Sequence, residues 1–226
     1  MELLNNLDPG FGHVDAILGP MFSEKTNRML SLMRRYKILH TVTVLLFRAA
    51  TARQDDKGKV LTHAGHGVEP DGVVDSGDSL ILDLCRRFPT REQFPPFMVL
   101  GLEEAQFVKG LDVLVDWVNC HVGHAQACGS RIFLYFTALD GTFQQQPWPE
   151  ISAVLPKCRH FEKSTLAICM CCRRQPAPYS RRDTAETELV LPGAQNKYSA
   201  SCRRCLTHAG QPTCCCLVSG GSGYAH

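Results

Sequence analysis

Apolar runs and amphipathic stretches alternate along the first two thirds of the chain. Val14 to Leu18 is a short apolar run that stops at Gly19 and Pro20, as a strand entering a turn does. After Ser23, Met29, Leu32, Met33 and Tyr36 recur on one helical face. Thr41 to Phe47 is β-branched and apolar, the pattern of a strand covered on both faces. Phe97 to Leu102 repeats that pattern, and a helix follows it with Leu111, Leu114, Val115 and Val118 on one side. Ile132 to Leu139 is a further strand. Buried strands alternating with amphipathic helices predict an α/β fold, a parallel sheet flanked by helices. Residues 51–72 are polar and read as a loop. Beyond Phe161 the long periodic segments stop, and cysteine and arginine become frequent. The pattern divides the chain into a polar leader (1–12), an α/β domain (13–160), a small cysteine-rich unit (161–208) and a flexible tail (209–226).

Composition narrows the class. The chain has 226 residues, 44% hydrophobic and 20% charged, which is a globular composition. A net charge of +2 argues against a life on nucleic acid or an anionic membrane. Ile132 to Leu139, the longest strongly apolar run, is too short to span a bilayer. The first residues resemble neither a secretory signal nor a transit peptide. A soluble cytoplasmic protein is expected. Twelve cysteines in a reducing compartment point to metal more than to disulfides.

Gly19 to Thr26 (GPMFSEKT) lies between the first strand and the first helix, where a phosphate-binding loop belongs. In the pattern G-x-x-x-x-G-K-[ST], backbone N–H groups and the helix N-terminus cradle phosphate. Here Gly19, Pro20, Met21, Phe22 and Ser23 would form the cradle. Lys25 would reach the β- and γ-phosphates, and Thr26 would hold Mg²⁺. The one misfit is Glu24, where the pattern has glycine. A left-handed backbone costs a non-glycine residue about 1–2 kcal/mol. A carboxylate about 4 Å from a phosphate charge is repelled by roughly 4 kcal/mol at an effective dielectric of 20. Repulsion is the larger effect, and it shrinks if the side chain turns to solvent or pairs with Lys25. The loop alone leaves a second reading open, a plain strand–turn–helix capped by Ser23.

Three further segments follow in order: LEEAQF (Leu102 to Phe107), ALDGTFQQQPW (Ala138 to Trp148) and Tyr198-x-x-x-Cys202-Arg203-x-Cys205. Together with GPMFSEKT they resemble the small, zinc-containing thymidine kinases of animals, bacteria and poxviruses, from about His13 to Cys205. The resemblance implies a P-loop domain plus a small zinc domain whose long loop, the lasso, closes over the nucleoside. It implies transfer of the ATP γ-phosphoryl to the 5′-hydroxyl of thymidine, with Mg²⁺ and a structural Zn²⁺. Glu104 matches the catalytic glutamate. Glu103 stands where the family has the aspartate that holds Mg²⁺. Phe107, Leu139, Phe143, Trp148 and Met21 would line the thymine pocket, although Phe107 and Phe143 also suit a plain core. Tyr198 matches the lasso tyrosine, and the backbone of about 189–193 would bond the base edge. Arg53 matches the arginine of a D-x-R segment whose aspartate is Thr51 here, and Gln145 and Gln146 replace the usual basic residues. With Glu24, Glu103 and Thr51 altered, an impaired subunit that binds nucleoside or supports an active partner domain is the alternative reading. Family likeness also implies dTTP as an inhibitor, and homo-oligomers or pairing with another thymidine kinase domain.

Cys169-x-x-Cys172 and Cys202-x-x-Cys205 are two thiolate pairs, each suited to one edge of a tetrahedral Zn²⁺ site. Four free thiols are the bland alternative. Cys171 lies inside the first pair, and Cys158 and Cys214 to Cys216 lack ligand-like spacing. Arg173, Arg174, Arg203 and Arg204 beside the cysteines raise a third function, a zinc ribbon for nucleic acid. The net charge argues against it.

Overall fold

In the computed structural model the chain runs β1 (His13–Gly19), α1 (Lys25–Lys37), β2 (Thr43–Ala49), β3 (Val60–Leu61), β4 (Gly67–Val68), β5 (Gly72–Val74), α2 (Gly77–Arg87), β6 (Phe97–Glu103), α3 (Leu111–Gly123), β7 (Arg131–Leu139), α4 (Pro149–Val154), β8 (His160–Lys163), β9 (Tyr179–Arg182), β10 (Tyr198–Ser201) and α5 (Arg203–Thr207). The described residues are 12–51, 59–61, 67–123, 130–164, 167–186, 188 and 197–207. Six strands form one sheet in the order β5-β2-β6-β7-β1-β8. Every pairing in it is parallel.

Alternation along the strands sorts the side chains onto two faces. On one, Val14, Ala16 and Leu18 join Leu100, Leu134 and Phe136 and are covered by Leu80 and Leu84 of α2, Leu111, Leu114, Val115 and Val118 of α3, and Ile151 and Val154 of α4. On the other, Ile17, Leu46, Val99 and Phe133 meet Met29, Leu30, Met33 and Tyr36 of α1. Gly101 lets α1 approach closely, because a Cβ there would meet the Met33 sulfur at 2.3 Å. The apolar runs read from sequence are thus the central strands.

Other elements lie where the pattern gave little. The hairpin β3–β4 sits inside the polar 51–72 stretch. β8 carries an exposed Phe161 and joins the sheet through its pairing with β1, so the change of texture at Phe161 falls inside a sheet strand. β9 and β10 form a separate antiparallel pair in the cysteine-rich unit. No helix among the described residues is long and apolar enough to cross a membrane.

A buried polar network lies under the C-terminal end of α1. His13 Nε2 is 3.1 Å from the Tyr135 hydroxyl, which is 2.8 Å from the Tyr36 hydroxyl. Asp15 is 3.4 Å from His13 and accepts two hydrogen bonds from Arg159, at 3.1 and 2.6 Å. Burial lowers the His13 pKa from 6.5 to about 4, against the pull of Asp15. The unfolded chain therefore takes up a proton near pH 6.5 that the folded chain refuses until about pH 4. The neutral imidazole's contribution is complete above 6.5 and declines as pH falls towards 4, by roughly 3 kcal/mol. Urea unfolding at pH 7.5 and 4.5 should show this loss in the native chain and much less in His13→Leu. Equal losses in both would remove His13 as the cause.

Candidate functional site

Parallel α/β sheets bind ligands beyond the carboxyl ends of their strands. β1 leads there into the turn from Gly19 to Thr26. Gly19 has a φ of +153°, and a Cβ would lie 2.7 Å from both the Ser164 carbonyl and Ser23 Oγ, so this place suits glycine alone. Ser23 Oγ donates to the Pro20 carbonyl at 2.8 Å, and Lys25 Nζ donates to the same oxygen at 2.6 Å. Ser164, after β8, donates through Oγ to the Ser23 carbonyl. These bonds close the turn against β8.

Glu24 adopts the left-handed backbone that the loop pattern assigns to glycine, with φ 63° and ψ 17°. Its carboxylate accepts a hydrogen bond from Asn27 Nδ2, one helical turn along α1. Glutamate is thus accommodated at this position of the turn. Phe22, Glu104 and Gln145 are also left-handed, so four of the five such non-glycine residues among the described ones lie in loops at this end of the sheet. Strain of this kind costs about 1–3 kcal/mol per residue and concentrates at functional sites.

Thr26 Oγ1 donates to Glu103 Oε1 at 2.8 Å, so the end of the turn and the end of β6 present oxygens side by side. Hard oxygen donors so placed fit Mg²⁺. Glu103 is buried within the strand. Glu104 leaves it, its backbone N–H donating to Thr137 Oγ1 at 3.3 Å. The left-handed turn thus gives two consecutive glutamates different surroundings. Arg48, in register with Glu103 on the neighbouring strand, is buried beside it. Sequence reading passed over Arg48, although a lone arginine in the apolar run TVLLFRA was the available signal.

The aromatic residues separate into two groups. Phe107 packs edge-on to Trp148 with centroids 5.5 Å apart, and Gln106 Oε1 accepts from the Leu139 N–H at 3.2 Å. Phe107 and Leu139 are partly buried against the main core, and Trp148 belongs to it. Among the described residues, Gln106 Nε2 and Trp148 Nε1 are buried donors without an acceptor. Phe143 instead lies near Tyr198, 6.5 Å between centroids. Met21 links the turn to β9 by donating its backbone N–H to Ser180 Oγ at 3.1 Å. Arg53, the 189–193 stretch and Cys214 to Cys216 lie outside the described residues.

The sulfurs of Cys169, Cys172, Cys202 and Cys205 all lie within 4.8 Å of one another, with Cys172 and Cys202 3.9 Å apart. A tetrahedral site with Zn–S bonds of about 2.3 Å has edges of about 3.8 Å, so the four thiols fit zinc. Burial pushes the Cys202 and Cys205 thiols up. At Cys169 burial works the same way, but hydrogen bonds from Cys172, Cys202 and Cys171 outweigh it and bring the thiol down to about 6. A bound cation would hold all four as thiolates. Cys171 is exposed and stands outside the tetrad. Arg174, Arg203 and Arg204 line a cleft of about 520 Å³ beside the tetrad.

The profile of one protein family, thymidine kinase, matches residues 12–206, a span that runs from before β1 into α5. The chain belongs to the thymidine kinase family. It is 28% identical over 194 residues to the thymidine kinase of Raccoon poxvirus, across 86% of this chain and 96% of that protein. It is 27% identical, over the same shares, to the thymidine kinase of Vaccinia virus strain Western Reserve. Two further polar contacts tie the loops of this thymidine kinase family member together. Gln145 accepts from Arg203 Nη1 at 2.6 Å, so an arginine of the cysteine-rich unit reaches the loop after β7. Lys163 pairs with Asp140 at 2.5 Å and lies over the Tyr179 ring. Motif matching did not find Lys163, since its partners are far away in sequence.

Proposed function

We propose that this member of the thymidine kinase family transfers the ATP γ-phosphoryl to the 5′-hydroxyl of thymidine. The observation that carries the reading is the Thr26–Glu103 hydrogen bond, which joins the end of the β1 turn to the end of β6. In this reading the backbone of Gly19 to Ser23 cradles the phosphates. Lys25, now on the Pro20 carbonyl, turns towards the β- and γ-phosphates. Thr26 and Glu103 would hold Mg²⁺, which offsets charge on the phosphate oxygens when bound. Arg53, which lies outside the described residues, would add positive charge to the phosphates by its match to the family motif. Glu104 accepts the 5′-hydroxyl proton as that oxygen attacks the γ-phosphorus, and ADP leaves with the electrons of the broken P–O bond. Met21, Phe107, Leu139, Phe143, Trp148 and Tyr198 enclose the thymidine. The four cysteines would hold Zn²⁺ in a closed, structural role.

Glu24 supports a second reading, an impaired subunit that binds nucleoside or supports an active partner domain, because it puts a carboxylate in the turn that would cradle phosphate. ATP-dependent phosphorylation of thymidine by the native chain and by Glu24→Gly separates the two. We expect turnover by the native chain and a KM for ATP about tenfold lower in Glu24→Gly, the Asn27 bond having absorbed part of the roughly 4 kcal/mol repulsion. A silent native chain restored by glycine establishes one blocking residue in an intact site. Silence of both, with thymidine still bound, overturns the kinase reading in favour of a binding subunit.

A further inference from the structure

Arg182, the last residue of β9, connects four segments of the chain through one guanidinium. Its Nη1 donates to the backbone carbonyls of Glu186, at 2.9 Å, and Glu188. Its Nη2 donates to the Tyr198 hydroxyl on β10. The guanidinium carbon lies 3.9 Å from the centre of the Phe143 ring and 4.8 Å from that of Tyr198. Phe143 belongs to the loop after β7 and the other partners to the cysteine-rich unit.

We infer that Arg182 is the positioning residue that fastens Tyr198 and the backbone at Glu186 and Glu188 to Phe143 of the loop after β7 and so sets nucleoside affinity. This rests on the reading that Phe143 and Tyr198 border the thymidine pocket. The geometry uses properties that only arginine has. A flat, delocalised cation stacks on an aromatic face while its N–H fork bonds in the guanidinium plane. Three oxygen acceptors and two rings are engaged at once here, which the point charge of lysine cannot reproduce. The bond to Tyr198 also orients that residue. Its oxygen is occupied as an acceptor, so its own O–H is directed away from Arg182 and is available to a ligand acceptor. Arg181 does not share the role, because it pairs with Asp183 at 2.6 Å.

Zinc-loaded full-length chain, Arg182→Lys and Arg182→Gln are compared by calorimetric titration with thymidine and by steady-state kinetics. Arg174→Gln serves as the control for loss of one positive charge on the same unit. We expect Arg182→Lys to weaken thymidine binding and raise its KM about tenfold, and Arg182→Gln to do so further. Zinc content, kcat and the KM for ATP should stay within about threefold of native, as should all values for Arg174→Gln. Native-like thymidine affinity in Arg182→Lys overturns the inference while leaving the functional reading intact. Loss of zinc in that variant overturns it too, by assigning Arg182 a purely structural role. If the native chain itself does not bind thymidine, the functional reading fails and the inference fails with it.

Discussion

Glu104→Gln is expected to lower kcat for thymidine phosphorylation by about 10²–10⁴-fold relative to the native chain, the usual worth of a general base. Glutamine preserves the size of the side chain and leaves the Glu104 N–H bond to Thr137 in place. It removes only the capacity to accept a proton. The KM for thymidine should therefore change by less than about threefold, since the pocket residues are untouched. Glu103→Gln should behave differently. Glu103 faces Thr26 at the carboxyl end of the central strand β6, so loss of its charge would weaken the proposed Mg²⁺ site. Its defect should show as a higher Mg²⁺ requirement, partly relieved by excess Mg²⁺. The Glu104→Gln defect should not respond to Mg²⁺. If Glu104→Gln keeps kcat within about threefold of native, proton transfer does not pass through this carboxylate. If excess Mg²⁺ rescues Glu104→Gln instead, the two glutamates exchange roles.

The backbone supports that division of labour. Consecutive residues in a strand point to opposite faces, which by itself would send one glutamate away from the turn. The left-handed conformation at Glu104, with φ 56° and ψ 46°, breaks the strand at that point. Glu103 stays in register with Arg48, and Glu104 opens the helical turn that leads to Phe107. Neither local propensity nor hydrophobic pattern signals such a break. The LEEAQF motif named both glutamates, but the break between them shows only in the fold.

The same contrast runs through the whole molecule. β1, β2, β6 and β7 are central strands buried on both faces, and continuous apolar runs gave them away. α3 was legible because Leu111, Leu114, Val115 and Val118 fall on its one buried face. β5 and β8 are the sheet's edge strands, three and four residues long. Short edge strands bury little, so they leave little pattern. α2 buries Leu80 and Leu84 and packs Ile81 against the same core while exposing Leu82, and so short an apolar run does not by its period tell a helix from a strand. Sheet order is a property of long-range pairing and had no local signature. At the candidate site, the sequence named the residues within motifs, whereas Arg48, Lys163 and Arg182 carried no motif signal. Arg182 in particular reads as half of a basic doublet with Arg181, and only the fold distinguishes the one on Phe143 from the one on Asp183.

Removing zinc is expected to unfold the region after Lys163 while the six-stranded sheet remains. The cysteine-rich unit has a core of Ala167, Cys169, Ala177, Ala200, Cys202 and Cys205, with Phe22 and Cys172 packed against it. Four of those eight residues are the tetrad, and three others are alanines, so little apolar surface remains to hold the unit without metal. Structural zinc supplies on the order of 10 kcal/mol in small domains of this kind, more than such a core could replace. The main sheet has its own large core on both faces and does not depend on the metal. The loss should nevertheless reach the site. Phe22 would lose its packing partners, the Met21 N–H would lose Ser180, and Arg182 would no longer hold Tyr198 to Phe143. Thymidine affinity should consequently fall by more than about tenfold, beyond the loss in Arg182→Gln. Hydrogen exchange on chelator-treated chain should show protection lost beyond Lys163 and kept in β1, β6 and β7, with one zinc released per chain. Cys202→Ser should reproduce the pattern without a chelator. Protein purified under reducing, metal-replete conditions that carries no zinc, or a zinc-free chain with unchanged protection after Lys163, would mean that thiol packing alone holds this unit and its side of the site.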